Sequence, residues 1–196
     1  MKKSALILIF IFGLLVAPSW AADRCVSFIP DVRNAHLKYF GPAFPWKYGV
    51  GQLKQESACR AGVKAFDGGM GVAQFMPKTS QYIQSLMKES LNPYNPKDAT
   101  RMQAFYMARI YKTENPHKKV WWSYQVYNGG ASLLKKEATR AGKVDHQAMR
   151  AVCKRKVITL KSGALLDFCS VNYEYSERIF RYGKQYGSSV DTINFW

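Results

Sequence analysis

The chain has 196 residues, of which 29 are lysine or arginine and 13 are aspartate or glutamate, so its formal net charge is +16 at pH 7. This length suits one domain with a substantial core, and no repeat or low-complexity linker divides it, which argues against a multidomain protein. The positive charge favours an anionic polymer or a membrane face as partner, but it does not identify a substrate.

Residues 1–22 are predicted to be a secretory signal peptide. Lys2 and Lys3 precede an apolar run from Ala5 to Ala17, and small residues around Ala21 and Ala22 suit a cleavage site. The run of about 13 apolar residues is shorter than the ~20 that a membrane-spanning helix needs. We therefore expect cleavage after Ala21 or Ala22 and no membrane span in the mature protein.

The mature chain would keep 27 basic and 13 acidic residues, a net charge of +14. Charged residues at Asp23 and Arg24 stand directly before Cys25, which does not suit the small, apolar site at which lipoproteins are cut. We predict a periplasmic protein without a lipid anchor. Export argues against nucleic acid as a partner and favours an anionic cell-wall polymer.

Four cysteines, Cys25, Cys59, Cys153 and Cys169, remain after processing. Export places them where thiols are oxidised, so two disulfides are expected. Four cysteines allow three pairings, and the sequence does not choose among them. Pairing Cys153 with Cys169 is the local option, which would close a loop of roughly 17 residues and contribute ~3 kcal/mol.

The elements are predicted in chain order from periodicity and breakers. Residues 23–45 form an extended N-terminal lead-in, and the enzyme domain covers 46–196. Helices are predicted over Lys47–Ala61, Pro77–Met87, Val120–Tyr127, Ala131–Ala141 and Val171–Tyr186, and a further helix opens at Asn95 and Pro96 and shows a wide apolar face from Asp98 to Lys112. Glycines place 66–71 in a loop, and 153–169 read as a β-hairpin. The fold class is therefore mainly α with a small β-hairpin insertion.

Three motifs occur in a fixed order: Glu56 with Ser57, then the segment GVAQFMP over 71–77, then VYNGG over 126–130. In this order they resemble the soluble, goose-lysozyme-like lytic transglycosylases, which carry a Glu-Ser pair, a Gly-Leu-Met-Gln run and an Ala-Tyr-Asn-Ala-Gly segment. The resemblance covers roughly residues 46–182 and implies a lysozyme-like helical fold that acts on peptidoglycan glycan strands.

Glu56 is the predicted catalytic residue. A glycosidic oxygen is a poor leaving group, so an acid with a raised pKa must protonate it. The resemblance implies that this glutamate first donates a proton and then, as a carboxylate, deprotonates the C6 hydroxyl of the same muramoyl residue. The product is a 1,6-anhydro end, and an oriented intramolecular hydroxyl explains why one carboxylate suffices.

The resemblance also implies substrate-binding residues, namely Ser57, Gly71, Gln74, Tyr127, Asn128 and Tyr175. Packing roles compete with several of these, especially for Ser57 and Tyr127. Two departures from the family pattern stand out. Val72 and Ala73 replace the usual Leu and Met, and 171–173 read Val-Asn-Tyr where the family often has Glu-Thr-Arg before the tyrosine.

Two alternative functions differ in chemistry. A goose-type hydrolase would use Asp67 with Glu56 to deliver water, although Asp-Gly is also an ordinary turn signal. A non-catalytic peptidoglycan-binding scaffold would anchor other envelope proteins. Small exported members of the family resemble accessory enzymes of secretion or conjugation machines or of phage, so components of such an apparatus are candidate partners.

The histidines lack metal-ligand spacing, and we predict no metal or cofactor.

Overall fold

The fold is mainly helical, as predicted. The computed structural model describes residues 23–160 and 162–187. Its helices are α1 (Ile29–Phe40), α2 (Lys47–Ser57), α3 (Pro77–Met87), α4 (Pro96–Arg109), α5 (Val120–Gly129), α6 (Ala131–Ala141), α7 (His146–Ala151) and α8 (Phe168–Gly183). Strands β1 (Val157–Thr159) and β2 (Leu165–Asp167) pair antiparallel, with Ile158 opposite Leu166. This arrangement confirms the predicted fold class, including the hairpin.

Helix α2 lies in the core, and most of its residues are buried. Two glycines allow neighbouring helices to approach it closely. A Cβ at Gly51 would lie 2.5 Å from the carbonyl oxygen of Ile179 in α8, and one at Gly49 would lie 2.3 Å from Cε1 of His36 in α1. Because such contacts are too short for a real side chain, glycine at these two positions lets α1 and α8 approach the backbone of α2 closely. Glu56 is thereby fixed on a rigid element.

The predicted extended lead-in is wrong over much of its length, because residues 29–40 form helix α1. Pro30 occupies its first turn, where a missing N–H costs nothing, and Val32, Ala35 and His36 form a buried stripe at helical spacing. A 3-10 helix over 24–28 precedes it, and the side chain of Asp23 caps that turn by accepting from the N–H of Cys25. The lead-in is thus part of the folded domain.

Other boundaries shift for local reasons. Helix α2 ends at Ser57 rather than at Ala61, because Ala58 and Cys59 adopt left-handed backbone conformations. The side chain of Asn95 caps α4, which starts at Pro96 and gives way to a π-helical turn over 110–114. Helix α7 was not predicted; it begins where the side chain of Asp145 accepts from the N–H of Ala148.

The predicted signal peptide lies outside the described residues, as does the chain beyond residue 187. Within 23–160 and 162–187, no helix has the length and apolar character needed to cross a bilayer.

Both expected disulfides are present, and they pair Cys25 with Cys59 and Cys153 with Cys169. The first fastens the N-terminal turn to the chain just beyond Glu56. The second closes the segment that contains the hairpin. The structure thus settles a pairing that the sequence left open.

Replacing both Cys25 and Cys59 by serine is expected to lower the free energy of unfolding by about 3–4 kcal/mol, because this disulfide spans a sequence separation of 34 residues. Denaturant unfolding under oxidising conditions measures the loss. The matched double serine variant at Cys153 and Cys169, whose separation is 16 residues, should lose about 3 kcal/mol. Unchanged stability in the first variant would contradict the predicted role of this crosslink.

Candidate functional site

Segments that are distant in sequence meet around Glu56, which lies in the last turn of α2. Tyr175 of α8 donates a hydrogen bond from its hydroxyl to Oε1 of Glu56. Tyr127, near the end of α5, donates from its hydroxyl to the carbonyl oxygen of Ala73, 2.9 Å away in the loop that follows α2. The structure therefore brings the three sequence motifs and the C-terminal tyrosine to one place.

A cleft of about 360 Å³ opens beside the carboxyl group of Glu56. Asn128 and Tyr175 line it together with Glu56, and Leu165 of β2 contributes to the wall formed by the hairpin. A larger cavity of about 420 Å³ beside Trp121 contains none of the motif residues. We therefore place the candidate active site in the smaller cleft, which is open enough to receive part of a polymer.

The environment of Glu56 favours its protonated form. Burial raises the pKa of this carboxyl to about 8, the hydrogen bond from Tyr175 acts in the opposite direction, and the negative charge of Asp67 raises the pKa further. The carboxyl thus holds its proton at neutral pH. A general acid needs a pKa in this range, because the group must be protonated when the substrate binds and must lose its proton during the reaction.

A chain of buried hydrogen bonds reaches Glu56 from α4. Nε2 of Gln103 donates to Oε1 of Gln52 at 2.7 Å, and Nε2 of Gln52 donates to the hydroxyl oxygen of Tyr175 at 3.0 Å. Since that oxygen already accepts a hydrogen bond, the single hydroxyl proton of Tyr175 points to Glu56. Two glutamines that sequence reasoning missed thus orient the tyrosine, and Gln103 is itself held by the carbonyl oxygen of Gly49.

Asp67 lies in an exposed turn near the candidate acid. Its Oδ1 accepts from the N–H of Gly69 at 3.1 Å, and the N–H of Gly68 donates to the carbonyl oxygen of Ala65 at 3.0 Å. The turn chemistry expected of Asp-Gly is therefore present. The side chain nevertheless acts on the site, because its charge contributes to the raised pKa of Glu56.

The segment 71–75 is held mainly by internal contacts. Gly71 is buried with φ +65°, and a Cβ there would lie 1.8 Å from the carbonyl oxygen of Pro93. Nε2 of Gln74 donates to the carbonyl oxygen of Gly71 at 2.7 Å. These two predicted substrate-binding residues shape the backbone of the loop, and neither lines the cleft beside Glu56.

Ser57 was predicted to bind substrate, and the structure favours the competing packing role. Its side chain is buried, and the hydroxyl donates to the carbonyl oxygen of Val72 at 2.9 Å while accepting from the N–H of Arg60 at 3.1 Å. The hydroxyl therefore fastens α2 to the loop and is not directed to the cleft. Sequence alone could not reveal this, because the partner lies fifteen residues away along the chain.

Tyr127 and Asn128 differ in their surroundings. Burial, followed by the negative charge of Glu56, raises the pKa of Tyr127, and its hydroxyl donates to the carbonyl oxygen of Ala73. Asn128 is exposed in the cleft, and its Oδ1 accepts from Nδ2 of Asn172 at 3.0 Å. Of the two, Asn128 is the residue whose side chain is free to meet a ligand.

The family model for the transglycosylase SLT domain matches residues 50–150. This range is more than half of the chain, and it includes Glu56, Asn128 and the motif over 71–77. The chain belongs to the SLT family. The resemblance inferred from the three motifs is thereby confirmed, while Tyr175 lies beyond the matched range. The comparison with curated proteins gives no significant match.

Solved structures share the SLT fold. The 70 kDa soluble lytic transglycosylase from Escherichia coli matches with a TM-score of 0.61 and 20% identity over 79% of this chain and 24% of that one. A 70-kDa soluble lytic transglycosylase in complex with bulgecin A matches with a TM-score of 0.64 and 19% identity over 85% and 26%. An inactive mutant of lytic transglycosylase Slt from Pseudomonas aeruginosa matches with a TM-score of 0.59 and 15% identity, over 85% of this chain and 24% of that one. The chain thus spans about a quarter of the length of these proteins.

Metal-ligating side chains are not gathered at the SLT site. Within the described ranges, no group of three or more histidine, cysteine, aspartate or glutamate residues could hold a metal ion. The carboxyl of Glu56, which accepts a hydrogen bond from Tyr175, can transfer a proton in a cleft whose lining also includes Asp167 and Glu174.

Proposed function

We propose that the protein is a peptidoglycan lytic transglycosylase that cleaves the β-1,4 bond between N-acetylmuramic acid and N-acetylglucosamine, with Glu56 as general acid and then general base. Membership of the SLT family supports a peptidoglycan-degrading lyase. The observation that carries the assignment is the carboxyl of Glu56, which borders an open cleft and has a pKa raised to about 8.

In the proposed reaction, Glu56 first donates a proton to the substrate and then accepts another from it. Glu56 donates its proton to the glycosidic oxygen as the C1–O bond of the muramoyl residue breaks, and the N-acetylglucosamine end leaves as an alcohol. The resulting carboxylate removes the proton from the C6 hydroxyl, whose oxygen bonds to C1. Glu56 ends protonated, no water is consumed, and the product carries a 1,6-anhydro ring.

The surroundings of Glu56 suit both steps. The burial that raises its pKa favours proton donation, whereas the hydrogen bond from Tyr175 stabilises the carboxylate once it forms. The similar Pseudomonas aeruginosa protein is described as inactive after a glutamate was replaced by glutamine. This supports an essential glutamate in the proposed reaction.

The proposed location is the periplasm, reached through cleavage of the signal peptide. Proteins of the SLT family act on peptidoglycan, which lies outside the cytoplasm, and the net charge of +14 that remains after cleavage suits an anionic wall polymer. Binding to components of a secretion or conjugation apparatus stays a prediction from the resemblance.

The proposal is tested by incubating purified peptidoglycan sacculi with the mature protein and with Glu56→Gln. We expect soluble muropeptides from the first and none from the second, with both proteins bound to the sacculi. Binding by both without release by either would instead support the non-catalytic scaffold.

Hydrolysis is the second candidate, and the electrostatic effect of Asp67 on Glu56 is the observation that favours it. In a hydrolase the second carboxylate would orient a water molecule toward C1. Asp67→Asn should abolish cleavage if such a water is required. Under the transglycosylase proposal the same variant keeps its activity near neutral pH and changes mainly its pH profile.

The pH dependence of kcat/KM tests the raised pKa of Glu56. Because the acid must be protonated in the free enzyme, kcat/KM should fall above about pH 8, the pKa of Glu56. Tyr175→Phe removes a hydrogen bond that lowers this pKa, so the alkaline limb should move to higher pH. Asp67→Asn removes a charge that raises the pKa, so the limb should move to lower pH. Initial rates of muropeptide release across pH 5–10 measure both shifts.

Asp31→Asn is a matched control for the loss of one negative charge. Asp31 lies in the first turn of α1 and does not contribute to the shifted pKa of Glu56. Its alkaline limb should coincide with that of the parent enzyme. Shifts of the same sign in Tyr175→Phe and Asp67→Asn would contradict the assignment of the limb to Glu56.

A further inference from the structure

Asn172 occupies a buried position behind the cleft. It lies in α8 with 1% of its surface exposed, at one of the three positions where the sequence departs from the family pattern. Its Nδ2 donates to the carbonyl oxygen of Gln125 at 3.1 Å and to Oδ1 of Asn128 at 3.0 Å. Among the described residues its Oδ1 has no hydrogen-bond partner. Both hydrogen bonds of this amide are therefore donations toward the end of α5.

These contacts fix the orientation of two amides. A backbone carbonyl can only accept, so the nitrogen of Asn172, and not its oxygen, must face Gln125. The same nitrogen faces Asn128, which must therefore turn its own oxygen inward. The amide nitrogen of Asn128 is left on the side of the cleft, where it can donate to a ligand.

The backbone next to this pair leaves little room for another arrangement. A Cβ at Gly129 would lie 2.6 Å from Nδ2 of Asn172 and 2.5 Å from Nη1 of Arg155. Arg155 is held in turn by a buried ion pair with Glu137, with Nε 2.8 Å from Oε1. The corner that carries Asn128 is thus packed on a rigid, hydrogen-bonded support.

We propose that Asn172 is a positioning residue that holds the amide of Asn128 so that the cleft presents a hydrogen-bond donor. This inference rests on the proposed function, because it takes the ligand to be a glycan strand. A donor at this point selects an acceptor oxygen of the sugar, such as an acetamido carbonyl, and disfavours a group that can only donate. Asn172 acts on the ligand only through Asn128.

A double-mutant cycle tests this relation. Binding of a peptide-free GlcNAc–MurNAc tetrasaccharide is measured by calorimetry in the Glu56→Gln background, in which the ligand is not cleaved. Asn172→Leu should weaken binding by about fivefold to tenfold, the size of one hydrogen bond. In the Asn128→Ala background the same substitution should have no further effect. In the active enzyme, Asn172→Leu should raise KM and leave kcat unchanged.

A second variant avoids any change to the buried amide. Asn128→Asp can still accept from Asn172 but presents only an acceptor oxygen to the cleft, so it should bind at least as weakly as Asn128→Ala. Asn115→Leu is the matched control, since Asn115 is a buried amide that donates to the carbonyl oxygen of Lys119 and to Ser123 Oγ and does not line this cleft. Asn115→Leu should bind the tetrasaccharide as tightly as the parent protein does.

The proposal is overturned if Asn172→Leu weakens binding equally in both backgrounds, or if Asn128→Asp binds as well as the parent. Absence of tetrasaccharide binding in the parent would also overturn it. Failure of the wild-type protein to release muropeptides, with tetrasaccharide binding and the coupling intact, would count against the proposed cleavage reaction and not against the role of Asn172.

Discussion

Replacing Glu56 by glutamine is expected to lower the rate of glycan cleavage by about 10²- to 10⁴-fold, the usual contribution of a general acid–base group. The amide has nearly the shape of the protonated carboxyl and can accept the hydrogen bond from Tyr175. It cannot transfer a proton to the glycosidic oxygen. The loss should therefore appear in kcat while binding to sacculi persists, and the rate of muropeptide release measures it.

The same variant should gain stability at alkaline pH. The pKa of Glu56 is about 8 in the native protein and 4.5 in its ordinary environment. Between these values the unfolded chain has lost a proton that the native state keeps, so rising pH destabilises the wild-type protein. Glutamine does not titrate. The free energy of unfolding of Glu56→Gln, relative to that of the wild-type protein, should rise from pH 4.5 to 8 and then stay constant. The upper limit of this rise is about 5 kcal/mol.

Denaturant unfolding at pH 5 and pH 9 measures this difference. Other titrating groups are common to both proteins, so their contributions cancel in the comparison. A gap in unfolding free energy that does not change between the two pH values would show that the native protein does not raise the pKa of Glu56.

Gly71→Ala should have the largest effect on stability that we predict for a single small substitution. The added Cβ would meet the carbonyl oxygen of Pro93 at 1.8 Å, and the backbone has φ +65°. Steric displacement and left-handed strain together should lower the free energy of unfolding by about 3–5 kcal/mol. The loop would also shift relative to Tyr127, so activity should fall even where the protein stays folded. Thermal and denaturant unfolding measure the loss.

Gly142→Ala separates the two causes. Gly142 also has a positive φ, +67°, but nothing lies within 4 Å of the Cβ that alanine would add. Only the conformational cost, about 1–2 kcal/mol, should remain. Equal losses in the two variants would contradict the packing argument for Gly71.

Much of the fold could be predicted from local signals. Pro77 and Asn95 mark helix starts, Gly142 marks a helix end, and the β-branched run before Gly163 indicates the hairpin. Helix α1 was missed because its buried stripe covers few residues and its exposed face is strongly polar. The end of α2 was misplaced because the left-handed turn uses Ala58. Such turns are usually predicted from glycine or asparagine, and not from alanine.

The candidate site was only partly predictable. Motif order identifies Glu56 and Asn128, and both residues line the cleft. The supporting amides of Gln52, Gln103 and Asn172 look like ordinary polar helix residues until the helices pack. One signal was available: Gln52 precedes Glu56 by four residues and so shares its helix face. The partners of the other two amides are set by contacts between helices, which sequence spacing does not show.

Cleavage in water enriched in oxygen-18 distinguishes transglycosylation by Glu56 from hydrolysis. Sacculi are digested in labelled water by the wild-type protein, with Glu56→Gln as the blank, and the released muropeptides are weighed by mass spectrometry. Transglycosylation consumes no water, so the products of the wild-type protein should carry unlabelled 1,6-anhydro ends, each lighter by one water than a reducing end. Reducing ends that carry one oxygen-18 atom, absent from the Glu56→Gln blank, would contradict transglycosylation and show hydrolysis that depends on Glu56.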